Sequence, residues 1–224
     1  MNGIPHWYFH KLDNKYANYK IKCLDPNLLI DAILPPDNIV GSVVYPACEI
    51  VKPGTIRHIA GNRFSLGEPE GSESDRLKFI SEILKKAGFR APIQKNIRDE
   101  IWLKLIGNLS FNPISALTGA TLEQICNDQG TEAIVRAMMT EAKIIAEELG
   151  AKINMSIEKR IDGARKVGAH KTSMLQDIEA GKPIEIDSII IAVKELGELT
   201  CSPTPYIDTI LNLTLQKAKL IGCL

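Results

Sequence analysis

From Asn96 to the carboxy terminus, the sequence is a succession of helix-length segments whose apolar residues recur every three or four positions. Glycine or proline follows most of these segments, as is typical of helix ends. The pattern predicts helices over Ile97 to Asn112-Pro113, Thr131–Leu149, Ser156–Ala180, Ile186–Leu199 and Tyr206–Ile221. Because proline has no backbone N–H, the first helix is expected to kink or end at Pro113. Residues 96–224 are therefore predicted to form a helical domain.

Residues 1–95 show a different pattern, in which short β-branched segments lie between turn residues. The segments NIVGSVVYPACEIV and TIRHIA predict a small antiparallel meander within residues 38–67, with turns at Pro53-Gly54 and Gly61-Asn62. A helix from Leu77 to Ala87, capped by Ser74 or Asp75, is expected to follow. The fold class predicted for the whole chain is mainly α with a small β-sheet.

Composition and charge exclude several classes of protein. The 224 residues carry 27 Lys and Arg against 27 Asp and Glu, and this neutral balance argues against nucleic acid or a membrane surface as the main partner. No apolar run is long enough to cross a bilayer, and the amino terminus lacks a signal-peptide pattern. The five cysteines have no paired spacing, which indicates free thiols and a cytoplasmic protein.

Common chemical motifs are absent from the sequence. It contains no G-x-G-x-x-G, no G-x-x-x-x-G-K-S/T, no H-E-x-x-H and no G-x-S-x-G. The four histidines are too dispersed to predict a metal site.

A polar stripe lies on the otherwise apolar helix that begins near Ile97. Lys104, Asn108 and Asn112 are spaced i, i+4 and i+8, so they share one helix face. Apolar residues on the other sides indicate a partly buried stripe that faces a cleft. A desolvated lysine has a lowered pKa and can act as a general acid, and amides beside it can orient a carbonyl or carboxylate. The alternative is a solvated stripe whose asparagines cap the kink at Pro113.

Residues 173–187 form a second candidate region. Ser173 is predicted near the end of the long helix, and Glu185 follows a turn at Gly181–Pro183. A carboxylate is favoured by the dipole at a helix amino terminus, and Asp187 is the predicted cap of the next helix, which leaves Glu185 free. The alternative is a simple helix–turn–helix link with a capping carboxylate.

Taken together, these segments resemble the ketopantoate reductase (2-dehydropantoate 2-reductase) family. The resemblance extends in order from residue 2 nearly to the end of the chain, and it rests on five segments: N-G-I-P at 2–5, G-S-V-V-Y-P-A at 41–47, P-G-T-I-R-H at 53–58, I-W-L-K-L-I-G-N-L-S-F-N-P-I-S-A-L at 101–117 and H-K-T-S-M-L-Q-D-I-E-A-G-K-P-I-E-I-D at 170–187. It implies NADPH-dependent reduction of ketopantoate to pantoate in pantothenate and coenzyme A biosynthesis. It also implies a helical domain like that of 6-phosphogluconate dehydrogenase.

The resemblance also implies roles for individual residues. Lys104 matches the lysine that donates a proton to the carbonyl oxygen, and Asn108 and Asn112 match residues that hold the substrate. Ser173 matches a residue that binds the carboxylate or hydroxyl end of the substrate, and His170 stands where some members have a substrate-binding asparagine.

The positions matched to cofactor contacts are Asn2, Ala47 and Glu185. Asn2 matches an asparagine where two domains meet, Ala47 a backbone contact, and Glu185 a contact to the nicotinamide-ribose region. Leu122 is apolar where some members have a polar substrate contact, so the substrate could be another branched 2-oxo acid.

The start of the sequence differs from the family pattern. The family opens with a Rossmann half whose glycine-rich loop binds the pyrophosphate, and the aromatic cluster Trp7-Tyr8-Phe9 near the start resembles the middle of a fold. A small amino-terminal hook packed on the core is the alternative. Residues 1–95 are expected to be the end of that Rossmann-type domain.

Three expectations follow from this difference. We expect weak or no NADPH binding by this chain alone. We also expect a homo-oligomer, or a second chain that supplies the nucleotide-binding half, because a partial sheet exposes strand edges. The alternative functions are a non-catalytic helical assembly module and a reductase of another 2-oxo acid.

Overall fold

The computed structural model describes residues 2–224. Within that range helices predominate and the strands are short, which confirms the mainly α fold class. The elements, in chain order, are α1 (Leu29–Ile33), β1 (Gly41–Val44), β2 (Ala47–Lys52), β3 (Thr55–Ala60), β4 (Phe64–Gly67), α2 (Asp75–Lys86), α3 (Ile97–Thr118), α4 (Leu122–Asn127), α5 (Gln129–Glu148), α6 (Ile157–Val167), α7 (Ser173–Glu179), α8 (Ala192–Thr200) and α9 (Pro205–Ile221).

The four strands do not form the predicted meander, so the predicted pairing was wrong. β1 pairs antiparallel with β4, and β2 pairs antiparallel with β3, so one hairpin is inserted between the strands of another pair. Burial explains the choice: β1 and β4 carry buried side chains, Val43 in the main core and Leu66 in a second cluster, whereas the β2–β3 hairpin is largely exposed. The turn at Pro53-Gly54 joins β2 to β3 as expected.

The amino-terminal segment is anchored to α3 by its aromatic residues. Tyr8 and Phe9 are fully buried, and the indole Nε1 of Trp102 donates a hydrogen bond to the Tyr8 hydroxyl at 2.7 Å. The guanidinium of Arg98 donates to the carbonyl oxygens of Tyr8 and His10 at 2.7 and 2.8 Å. Residues 7–9 therefore pack as part of the main hydrophobic core.

The central helix, α3, continues past its proline, so the prediction that it could end at Pro113 was wrong. The Asn96 side chain caps its first turn, and the helix ends at Gly119, whose φ of 75° is in the left-handed region. Pro113 lies inside the helix and is buried along with most of its neighbours. Burial of this apolar turn against the surrounding helices offsets the one backbone hydrogen bond that proline removes.

The long helix predicted over residues 156–180 is two helices, α6 and α7. Gly168, with φ 81° and ψ −148°, ends α6, and the Thr172 side chain accepts a hydrogen bond from Leu175 N at 3.3 Å to cap α7. Ser173 is therefore the first residue of α7, not a residue near a helix end. A glycine in an extended conformation with positive φ breaks the helix where the apolar pattern alone would extend it.

The predicted capping role of Asp187 was also wrong. A π-helical segment over Asp187–Ile191 leads into α8, and its N-cap is Ile186, without a side-chain hydrogen bond. Ile186 already has helical dihedral angles, φ −91° and ψ −35°, so the helix begins before Asp187 can cap it.

Residues 2–224 contain no helix that is long and apolar enough to cross a membrane. Across the same range the five cysteines are free thiols, and no group of three metal-binding side chains comes together.

Candidate active site

The polar stripe of α3 lines one cleft of about 610 Å³. Lys104, Asn108 and Asn112 contribute the floor, and residues of α6, α7 and the β1–β2 link form the walls. A volume of this size suits a small organic ligand. The spacing of three residues on α3 therefore predicted their shared face correctly.

Lys104 is half-buried in this cleft. Its Nζ donates one hydrogen bond, to the carbonyl oxygen of Val44 at 2.6 Å, which leaves two N–H donors for a ligand. Burial lowers the pKa of Lys104 below its usual 10.5, the charge of Arg160 lowers it further, and Glu185 opposes both effects. A lysine in this state can donate a hydrogen bond and can release its proton more readily than an exposed lysine.

A chain of hydrogen bonds joins α3 to the amino-terminal segment and to the link between α7 and α8. The Asn2 amide nitrogen donates to Glu185 Oε2 at 2.8 Å, and Asn108 Nδ2 donates to Asn2 Oδ1 at 3.4 Å. The resemblance gave Asn2 and Glu185 related roles, and the fold brings these two side chains into contact although they are 183 positions apart. Glu185 itself lies beside the cleft and reaches it through Asn2.

Asn112 and Ser173 form the opposite end of the polar lining. Asn112 Nδ2 donates to Ser173 Oγ at 3.5 Å, and Asn112 is buried while Ser173 is exposed at the start of α7. His170 and Ala47 also line the cleft, as does the apolar side chain of Leu122. All the predicted site residues except Glu185 thus line one cavity.

Sequence reasoning missed two further residues of the cleft. Tyr45 stacks against the guanidinium of Arg63 at 4.8 Å, donates a hydrogen bond to Glu100 at 3.3 Å, and has a pKa raised to about 12 by burial. Arg160 extends from α6 into the cleft wall. A signal for Arg160 was present, because it lies three residues after Ile157 and four before Ala164, on the apolar face of α6.

Comparison with known proteins identifies the family. Residues 96–218, more than half of the chain, match the pattern described as "Ketopantoate reductase PanE/ApbA C terminal". A 2-dehydropantoate 2-reductase of Mesorhizobium japonicum is 51% identical over 222 residues, which are 99% of this chain and 68% of that protein. The chain belongs to the ketopantoate reductase family.

Solved structures of ketopantoate reductases and related enzymes agree with this assignment. A Ralstonia solanacearum structure described as a ketopantoate reductase superposes with a TM-score of 0.95 at 40% identity and covers all of this chain and 68% of its own. A D-mandelate dehydrogenase solved with NADH has a TM-score of 0.77 at 20% identity over 86% of this chain and 66% of its own, and at that identity it supports the fold alone. The family is one of oxidoreductases, and the chain spans about two thirds of the length of these relatives.

Proposed function

We propose that the cleft reduces 2-dehydropantoate to pantoate with NADPH and that Lys104 is the catalytic acid. One observation carries the proposal: a half-buried lysine, with a lowered pKa and two uncommitted N–H donors, lies on one helix face with two asparagines. An acid beside amide donors suits a reaction in which a ketone oxygen gains negative charge.

Lys104 acts on the ketone oxygen of the substrate. Its ammonium donates a hydrogen bond to that oxygen, stabilises the charge that develops as the carbonyl carbon accepts hydride, and then transfers a proton to give the hydroxyl. The hydrogen bond to the Val44 carbonyl oxygen holds Nζ in place during this step. Burial lowers the pKa of Lys104 and so makes the proton transfer easier.

Polar groups on either side of Lys104 orient the substrate. The amides of Asn108 and Asn112 hold its oxygen atoms, and Ser173 and His170 close the far end of the cleft. Each amide is itself held by a hydrogen bond, Asn108 to Asn2 and Asn112 to Ser173. Such prior ordering reduces the entropy lost when the substrate binds.

NADPH would supply the hydride, and the residues in and beside the cleft fit only the nicotinamide end of the cofactor. The linked side chains of Asn2 and Glu185, with the backbone at Ala47, offer the donors and acceptors that a nicotinamide ribose and carboxamide need. Residues 1–224 contain no glycine-rich loop for the pyrophosphate. We therefore propose that the chain alone binds NADPH more weakly than micromolar and that a further nucleotide-binding segment, in this protein or on another chain, completes the site.

The domain organisation and assembly belong to the same proposal. Residues 1–95 would be the end of a nucleotide-binding domain and residues 96–224 the substrate-binding domain. The exposed apolar residues of the β2–β3 hairpin, Ile50 and Ile56, suit contact with a second copy or with the missing half.

The test joins this chain to the amino-terminal third of the Mesorhizobium relative and follows NADPH oxidation with 2-dehydropantoate. We expect turnover from the fusion and none from the chain alone. In the fusion, Lys104→Ala should lower kcat by about 10² to 10⁴-fold. The matched control is Lys194→Ala on α8, which removes a surface lysine paired with Asp208 and should leave the rate unchanged. A fusion that folds, binds NADPH and keeps its rate without Lys104 would disprove the proposal.

A second candidate substrate is another branched 2-oxo acid. The observation that favours it is Leu122, an apolar side chain in the cleft lining where the family resemblance leads one to expect a polar contact. A panel of 2-oxo acids tests this alternative with the same fusion. A kcat/KM for another 2-oxo acid far above that for 2-dehydropantoate would replace the substrate named here.

A further inference from the structure

The side chain of Arg160 crosses from α6 to α3 and lies over Gly107. A methyl carbon built on Gly107 would lie only 2.7 Å from both Cζ and Nε of Arg160, so the glycine makes room for the guanidinium. Gly107 is three residues after Lys104, on the adjoining strip of the same helix face, and both residues line the cleft. The fold thus places the arginine beside the lysine.

Arg160 is half-buried, and one nitrogen of its guanidinium has no hydrogen-bond partner. Its Nε has no contact with solvent and no hydrogen-bond acceptor among residues 2–224. No carboxylate contributes to its surroundings, where the neighbouring titratable group is the neutral phenol of Tyr45. An arginine stays charged at all physiological pH values, so the buried, unpaired Nε carries a cost to the folded chain that an acceptor on a ligand would relieve.

Two cations therefore face one cleft without a carboxylate in its lining. Burial is the main cause of the lowered pKa of Lys104, and the charge of Arg160 lowers it further against the larger opposing effect of Glu185, so the two cations repel each other. An anionic ligand between them would remove both the repulsion and the unmet hydrogen-bonding capacity of the guanidinium. A planar guanidinium matches a carboxylate because it can donate two parallel hydrogen bonds.

We propose that Arg160 binds the carboxylate of the substrate and makes the cleft selective for small 2-oxo and 2-hydroxy carboxylates over uncharged ketones. The inference rests on the proposed function for the chemistry at Lys104. In a 2-oxo acid the carboxylate is attached directly to the ketone carbon, so a carboxylate at Arg160 brings the ketone oxygen toward the neighbouring Lys104. Ser173, which could bind either end of the substrate, is then assigned to the far hydroxyl end.

Binding measurements test this assignment without needing turnover or cofactor. Titration calorimetry on the full chain uses pantoate, oxamate and, as the uncharged counterpart of pantoate, pantolactone. Arg160→Met should weaken pantoate and oxamate binding by at least about tenfold, and Arg160→Lys should restore part of the loss. Pantolactone should bind both forms equally, because it offers no carboxylate to the guanidinium.

Arg165→Met is the matched control for charge removal. Arg165 is on the same helix, α6, but its guanidinium pairs with Glu132 and Asp162 away from the cleft. Its loss should leave all three affinities unchanged, and circular dichroism checks that each variant is folded. Equal pantoate affinity in wild type and folded Arg160→Met would overturn the assignment while leaving the proposed function intact.

Two further outcomes distinguish the proposed role of Arg160 from the proposed substrate. If wild type binds oxamate through Arg160 but does not bind pantoate, the role of Arg160 stands and 2-dehydropantoate is the wrong substrate. If neither anion binds wild type, Arg160 is not a carboxylate site in this chain and the assignment is wrong.

A second pair of variants moves Arg160 without removing it. Gly107→Ala places a methyl group against the guanidinium, whereas a methyl group at Gly130, on α5 and outside the cleft lining, meets only Asp128 Oδ1 at 3.3 Å. We expect Gly107→Ala to weaken pantoate binding by several-fold and Gly130→Ala to have no effect. Unchanged affinity in both would contradict the placement of the carboxylate over Gly107.

Discussion

Arg98 lies on α3 and Arg160 packs against the same helix, and the surroundings of their two guanidinium groups are opposite. Arg98 is 5% exposed and donates to two backbone carbonyl oxygens, of Tyr8 and His10. Arg160 has a buried Nε with no acceptor at all. Burial lowers the pKa of both guanidinium groups, so desolvation does not distinguish them. The two residues differ in whether the protein itself supplies their hydrogen-bond acceptors. Arg98 has such acceptors and stabilises the fold, whereas the Nε of Arg160 has none and remains free to bind a ligand.

The polar residues of α3 differ in the same way between the first turns of the helix and the following turns. In its first turns, Arg98 and Trp102 use their donors to fix the amino-terminal segment. In the following turns, Lys104 uses one donor of three, and Asn108 makes only a long hydrogen bond of 3.4 Å. The first part of the helix is a structural anchor, and the second part keeps hydrogen-bonding capacity for the cleft.

The largest effect on stability is expected from removing Arg98. Arg98→Met leaves two carbonyl oxygens without donors and should lower the free energy of unfolding by about 3 kcal/mol. Arg160→Met should lower it by less than about 1 kcal/mol or raise it, because no hydrogen bond is lost. Urea denaturation of both variants measures the contrast. Similar losses of stability in the two variants would mean that the two arginines do not differ in role.

A smaller effect is expected at Trp102. Trp102→Phe removes the donor to the buried Tyr8 hydroxyl and some of the packing, and it should cost about 2 kcal/mol. Tyr8→Phe removes the same hydrogen bond from the other side, because among residues 2–224 the Tyr8 hydroxyl bonds only to Trp102. In a double-mutant cycle, the second substitution should cost less than it does in the wild type. Strict additivity would show that the hydrogen bond contributes nothing.

The comparison also explains which parts of the site the sequence could predict. The shared face of Lys104, Asn108 and Asn112 follows from helix periodicity within one continuous helix, so it was predictable from spacing alone. The position of Ser173 depends on the break at Gly168, where a glycine conformation rather than the apolar pattern decides the chain path. Local rules therefore placed the three side chains on one face of α3, but they failed at Pro113 and at the α6–α7 junction.

Contacts between distant segments were the least predictable. Pairing of β1 with β4 depends on burial of Val43 in the main core and of Leu66 in a second cluster, which neither strand specifies alone. The burial of Arg160 likewise depends on Gly107 in another helix. An arginine on the apolar face of α6 was visible in the sequence, but its lack of a partner could be seen only once the helices had been packed.

The smallest effect is expected from removing the charge of Lys104. Lys104→Met should raise the free energy of unfolding by about 1 kcal/mol, because the variant no longer buries a charge. The sign of the pH dependence follows from the lowered pKa of Lys104. The cost of burial is fully present below the folded pKa and disappears as pH rises from that value to 10.5, where the lysine of the unfolded chain also loses its proton. Urea titrations of both proteins at neutral pH and near the alkaline end of this window should therefore show the stability difference shrinking. A difference that stays constant with pH would mean that Lys104 is solvated in the folded protein. Lys104 would then not belong to the part of α3 that keeps hydrogen-bonding capacity for the cleft.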